Sequence, residues 1–253
     1  MTELPTREIG FLPAKTTALL ALLLVPPACA PGQFTTLTLY DRPEAFVRLE
    51  ADRTVEKGRE HSHPVSVTPE QIAAVLSGVM IEEPVTRLPL YDDTSQPRRH
   101  RVFGDRTVAL FAPLLAEGLQ KATPEEIVTF YLSQELSGTS REVTSGGVFV
   151  RGDALHLVLG NYRSSTHYSA DIGVADMNDD RLTPLQPLAP QRGRLDFEPR
   201  TARQPASSSG WSRIFERDRR ELVIRFRDLS PLVLPSPAPV VPAPARPADA
   251  PRP

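Results

Sequence analysis

The sequence predicts an α+β fold, a mostly antiparallel sheet with two main helices packed on one face, followed by a disordered Pro-rich C-terminal tail. Three observations predict it. Thr144–Val150 and Ala154–Leu159 are alternating runs on either side of Arg151-Gly152-Asp153, a glycine-containing turn, which is the pattern of a hairpin. Two stretches, one starting at Pro69 and one at Arg106, carry apolar residues at helical spacing behind recognisable start signals. From Pro231 onward nearly every second or third residue is proline, and no core can form from such a composition.

In chain order, Thr35–Tyr40 and Ala45–Glu50 read as strands separated by Asp41-Arg42-Pro43. Leu37 and Leu39 share one face, and so do Val47 and Leu49. Ala51–Glu60 is charged and reads as a loop. Thr68-Pro69-Glu70-Gln71 is a capping box with proline in the first turn; the helix behind it turns Ile72, Val75, Leu76 and Val79 inward and ends at Gly78, with a strand expected at Val79–Ile81. Glu83–Arg101 reads as a loop holding three prolines, and its Arg98-Arg99-His100-Arg101 run as solvated.

Asp105 is placed to cap a second helix that buries Val108, Phe111, Leu115, Leu119 and Ala122, with a kink or restart expected at Pro113. Thr123-Pro124-Glu125-Glu126 has the form of a new helix start, but Val128, Phe130 and Leu132 alternate with Thr129, Tyr131 and Ser133, so one helical turn followed by a strand is expected. In the hairpin Leu155, Leu157 and Leu159 point one way, and His156 and Val158 the other. Further strands are expected at Thr166–Val174, Arg194–Phe197 and Glu221–Arg227, with Pro199–Gly210 mobile.

The 253 residues suit one core domain with extensions, and the net charge of −2 gives no reason to expect nucleic acid or acidic lipid as a partner. The chain lacks a G-x-S-x-G elbow, S-x-x-K, H-E-x-x-H, a P-loop and a dinucleotide fingerprint, so no catalytic residue is assigned and no cofactor is expected. Glu82-Glu83 and Glu125-Glu126 read as solvated carboxylates. His61-Ser62-His63 has metal-like spacing, but two ligands do not make a site, and an exposed strand edge is the expected setting. Asp171, Asp176, Asn178, Asp179 and Asp180 gather oxygen ligands in an order that does not fit an EF-hand loop, which leaves a polar turn as the reading and calcium as the alternative. Arg151-Gly152-Asp153 spells an adhesion tripeptide and reads as a turn.

Cys29 is the single cysteine, which excludes an internal disulfide framework. Before it, Lys15 precedes an apolar run, Thr16–Val25, too short to span a bilayer, and Pro26-Pro27 ends that run among small residues. Leu22-Leu23-Leu24-Val25-Pro26-Pro27-Ala28-Cys29 resembles the signal segment of bacterial lipoproteins, although Pro26 stands where that class has leucine. Ala28-Cys29-Ala30 also fits ordinary secretory cleavage, with Pro31 unfavourable directly after it.

The resemblance implies 1–28 as signal peptide and 29–34 as lipidated tether; the strand, helix and proline patterns give 35–229 as a single α+β domain and 230–253 as tail. It implies a diacylglyceryl group and an amide-linked acyl chain such as palmitate on Cys29, and a membrane as partner through those chains. Ala30, where an Asp would favour the inner membrane in enteric bacteria, implies the outer membrane. The expectation is a non-catalytic cell-envelope lipoprotein serving assembly, secretion or contact with an envelope protein or the cell wall. Its alternatives are a periplasmic ligand- or metal-binding module built on His61, His63 and the Asp171–Asp180 region, and a hydrolase without a linear motif.

Overall fold

Seven antiparallel strands form the main sheet in the order β1-β2-β5-β6-β7-β10-β9, where β1 is Thr35–Arg42, β2 Ala45–Ala51, β5 Glu126–Ser137, β6 Ser140–Arg151, β7 Ala154–His167, β9 Arg203–Gln204 and β10 Glu221–Ile224. A second sheet of three short strands, in the order β4-β3-β8, joins β3 (Val79–Glu82), β4 (Arg99–Arg101) and β8 (Arg194–Phe197). Helices α1 (Pro69–Gly78) and α2 (Asp105–Lys121) pack on one another and on one face of the main sheet. The computed structural model describes residues 34–84, 97–137, 140–167, 180–191, 193–205 and 220–232. The chain divides into two units, Met1–Gly32 and Gln33–Pro253, and everything described lies in the second. Cys29, the strand expected beyond His167, the acidic residues Asp171–Asp179 and the tail from residue 233 lie outside the described residues.

The core is the meeting of two periodicities. Val47 and Leu49 from β2, Val128 and Phe130 from β5, Val148 and Val150 from β6, and Leu155, Leu157 and Leu159 from β7 line the helix-facing side of the sheet. Ile72, Val75, Leu76, Val108, Phe111, Leu115 and Leu119 come down onto them from the helices. Phe103 and Phe111 close on Phe130 at ring separations of 5.7 and 5.6 Å. Each such fully buried side chain contributes on the order of 1.5–3 kcal/mol of transfer free energy.

The capping box forms in both directions: Gln71 N donates to Thr68 Oγ1 at 3.3 Å and Thr68 N to Gln71 Oε1 at 3.0 Å. The hairpin turn is as short as the sequence predicts, with Arg151 opposite Ala154 and Gly152 at φ +62°, the first of two central positions, where positive φ favours glycine. The tripeptide is thus an exposed turn, and Gly152 N donates to Ser62 Oγ.

Several local expectations give way to longer-range packing. Gly104, not Asp105, is the N-cap of α2; Asp105 sits in the first turn, bonded to Arg101. The helix also runs unbroken through Pro113. Pro113 and Ala109, whose carbonyl loses its helical partner, are both exposed, so no buried polar group is stranded by the proline. Thr123–Glu126 forms a tight turn instead of a helix start: Glu126 N donates to Thr123 O, and Glu126 Oε2 accepts from Thr123 N at 2.7 Å. Glu126 is consequently buried and not solvated. Within Glu83–Arg101, Arg99–Arg101 is a strand paired to β3. Part of the segment expected to be mobile is ordered, as a 3-10 turn over Arg200–Ala202 and then β9. β10 stops at Ile224, yet Phe226 still turns inward from a 3-10 turn over Phe226–Asp228. Leu232 N donates to Glu70 O at 3.1 Å, so the first residues assigned to the tail dock at the start of α1.

The opposite face of the sheet is also covered. Phe46 and Tyr131 stack at 5.2 Å with planes 6° apart, and the guanidinium groups of Arg48 and Arg181 lie over them. The segment 180–191 crosses this face. Asn161 holds it there, donating to Gln186 O and Ser145 Oγ and accepting from Leu188 N, while Leu185 packs on Ile127, Phe149 and Val158.

Candidate functional site

The two histidines of the metal-like spacing are buried, His61 at 3 % and His63 at 5 % exposure, and neither lies on an exposed strand edge. Their loop is tied to the end of β6. Ser62 N donates to Val150 O at 2.7 Å, and Val150 N donates to His63 Nε2 at 3.0 Å. That second bond requires Nε2 to be unprotonated, so His63 is held as a neutral ring with its proton on Nδ1. Burial, reinforced by the neighbouring His61, pushes its pKa down to about 4.

His61 Nε2 meets Asp52 Oδ2 at 3.0 Å, with both side chains almost wholly buried. Burial would raise the Asp52 carboxyl, but the bonds from His61 and Thr54 outweigh it and bring it down to about 2. The Phe149 ring stands between the imidazoles of His61 and His156, at 4.2 and 4.7 Å, and His156 Nδ1 meets Glu221 Oε1 at 2.7 Å. Two residues before Asp52, Glu50 is 1 % exposed on the same side of β2 as Phe46 and Arg48. Burial drives its pKa up to about 7 against the opposing effects of the Thr129 hydroxyl and Arg48, and its Oε2 has no hydrogen-bond partner among the described residues.

One ring nitrogen of each imidazole in this array is thereby turned to a protein partner, those of His61 and His156 to carboxylates and that of His63 to a backbone amide. Among the described residues no group of three or more His, Cys, Asp or Glu side chains is arranged to hold a metal ion. Asp180, the described end of the acidic run, accepts from Arg141 at 2.6 Å and from the Tyr131 hydroxyl at 3.2 Å. Burial, followed by the Asp180 charge, pushes that hydroxyl up to about 12.

The solvent-facing concavities lie elsewhere. One, of about 550 Å³, opens at the N-terminus of α2 and is lined by Arg106, Gln134, Glu142, Tyr162 and Arg163 among others. Arg163 is bonded to Glu142 at 2.8 Å, and the Tyr162 hydroxyl meets His100 Nε2 at 2.7 Å.

A second hollow, of about 510 Å³, lies over the small sheet and β9, lined by Glu82, Arg194, Asp196, Arg200, Arg203 and Gln204 among others. Register explains its charge. Arg99 and Arg194 both stand opposite Glu82 from the two flanking strands, and Asp196, two residues from Arg194, shares its face of β8. Asp196 is 7 % exposed and accepts from Arg99 at 2.7 Å, Arg203 at 2.8 Å and Arg200 at 3.4 Å. Burial would raise its carboxyl; the bonds from Arg99, the Phe197 amide and Arg203 hold it down to about 2.

Sequence reasoning singled out His61, His63, Cys29 and Asp171–Asp180, and passed over Glu50, Asp52, Asp196 and the arginines around it. The available signal for the last group was the Arg194/Asp196 alternation in a strand whose other face is Leu195 and Phe197. No helix among the described residues is long and apolar enough to cross a membrane. Set against protein-family models, curated proteins and solved structures, the chain matches none of them.

Proposed function

We propose that this chain is a lipid-anchored component of the cell envelope whose α+β domain binds or positions other envelope molecules and carries out no covalent chemistry. The observation that carries this reading is the run Leu22–Cys29, a charge-preceded apolar segment closing on a single cysteine six residues before β1 begins. Acylation there would tether the sheet domain through its first strand without a membrane-spanning helix, because two or more buried acyl chains hold a protein at a bilayer at about 0.8 kcal/mol per methylene. The non-catalytic part of the reading is supported by the pairing of the buried histidines with Asp52, Glu221 and a backbone amide, which leaves them turned to structural partners. Ala30 supports the outer membrane over the inner.

The test is metabolic labelling with palmitate, followed by membrane fractionation of the full chain and of Cys29→Ser. The wild type takes up label and sediments with membranes, and the variant does neither. Mature protein that keeps its leader and a free thiol, or a variant retained on membranes like the wild type, overturns the anchoring.

A further inference from the structure

The arginine-lined hollow holds more positive charge than its carboxylates neutralise. Asp196 is the shared acceptor for three guanidinium groups, and one of these, Arg99, is already saturated as a fork, with one nitrogen on Asp196 and the other on Glu198 at 2.6 Å. Arg203 uses only Nη1 on Asp196, and Arg200 only Nη2, at the longer 3.4 Å. Among the described residues their remaining donors have no hydrogen-bond partner, and Arg194 lines the same hollow. A single carboxylate cannot satisfy three fork-shaped donors, so the arrangement leaves like charges close together, and an anion bridging them would relieve that repulsion. Asp196 also fixes the Arg203 guanidinium at 2.8 Å, so a ligand would find one of these long side chains already ordered.

We propose that this hollow is a binding site for a phosphate-bearing ligand, held by Arg194, Arg200 and Arg203 on the scaffold of Asp196. A phosphate monoester carries between one and two negative charges and three acceptor oxygens, which matches a cluster of forks better than a lone carboxylate does. Glu82, opposite Arg194 on the neighbouring strand, limits the charge the site accepts and gives a ligand hydroxyl or amine an acceptor. The source of the phosphate is either a soluble monoester or an anionic lipid headgroup.

The test uses the full chain carrying Cys29→Ser, so that acyl anchoring cannot contribute and failure of the anchoring reading stays separate. Calorimetric titration with inorganic phosphate and glycerol phosphate forms one arm. Sedimentation with phosphatidic acid vesicles, against phosphatidylcholine vesicles, forms the other. Binding in either arm is expected to weaken about tenfold for each of Arg194→Gln, Arg200→Gln and Arg203→Gln, as loss of a charge-assisted bond implies. Arg194→Gln is the decisive variant because it leaves the Asp196 contacts intact, so its effect cannot come from unfolding the cluster. Binding in the soluble arm identifies a soluble ligand, and binding confined to phosphatidic acid vesicles identifies a headgroup. No binding in either arm at millimolar phosphate, or binding unchanged in Arg194→Gln and in the Arg200→Gln/Arg203→Gln double variant, overturns the proposal.

Discussion

Replacing Glu50 by Gln should change how the stability of this protein depends on pH. The carboxyl is 1 % exposed, and burial raises its pKa from 4.5 to about 7. Between those values the folded state holds a proton that the unfolded chain has released. The stabilisation is therefore complete below pH 4.5 and is lost as pH rises through 7. At about 1.4 kcal/mol per unit, the loss amounts to about 3 kcal/mol. His63 acts with the opposite sign. Its folded-state pKa of about 4 lies below the ordinary 6.5, so folding keeps the ring neutral where the unfolded chain takes up a proton. That penalty is absent above pH 6.5 and grows to about 3 kcal/mol as pH falls toward 4. From pH 4.5 to 6.5 the two slopes oppose each other, and the wild type should be nearly flat. Glu50→Gln removes one slope and leaves the other exposed. Urea unfolding at pH 4.5, 5.5, 6.5 and 8 should show the variant losing about 1.4 kcal/mol per unit below pH 6.5, and gaining on the wild type by about 3 kcal/mol between pH 4.5 and 8. Parallel curves for the two proteins across that range would refute the assignment of Glu50 as a buried, proton-holding group.

Gly146→Ala should destabilise by at least about 2 kcal/mol in the same assay. A methyl group there would run into the Val158 carbonyl on the adjacent strand and stand 2.8 Å from the Phe130 ring, and the backbone of a paired strand cannot move aside. Thr68→Ala should cost about 1 kcal/mol by removing the bond to Gln71 N, with little change in the far-ultraviolet dichroism of the folded protein, because the packed face of α1 is untouched.

What was legible in the sequence is what short-range physics decides. The capping box at Thr68, the alternation through β5–β7 and the turn at Gly152 each draw on residues within a few positions of one another, and each forms where the pattern puts it. The remainder depends on partners remote in sequence. His61 and His63 look like exposed alternating ligands until Asp52, nine residues back, and Val150, 87 residues on, are brought to them. Phe46, Arg48 and Glu50 form the outward half of an alternating strand, a pattern equally suited to solvent. Only the fold buries Glu50 and lays Arg181, more than 130 residues away, across Phe46. Arg98–Arg101 gave a charge run with no period, and its strand exists because β3 offers a free edge to pair with. The Thr123 start signal misled for a related reason, since a glutamate reaching back to an amide three residues earlier serves a tight turn as well as a helix.

The arginines around Asp196 can be separated by what each does for the fold. Arg99 bridges two strands of the small sheet to Asp196 and Glu198 with both prongs of its fork, at 2.7 and 2.6 Å. Arg200 touches Asp196 only at 3.4 Å from a side chain that is 77 % exposed, and exposed pairs of that kind contribute almost nothing to stability. Arg99 staples β8 to β4, and Arg203 ties β9 of the main sheet to β8 through Asp196 at 2.8 Å, so Arg200 is the guanidinium that adds repulsion without adding a contact the fold needs. Arg99→Gln is therefore expected to lower the melting temperature clearly, whereas Arg200→Gln leaves it within error or raises it slightly, and the Arg200→Gln change should be felt more weakly still at high salt, where screening removes the repulsion. Differential scanning calorimetry of the two variants at low and high sodium chloride makes the comparison. A substantial drop for Arg200→Gln, equal to that for Arg99→Gln, would mean that all the arginines are part of the staple, and the excess charge would then need no ligand to explain it.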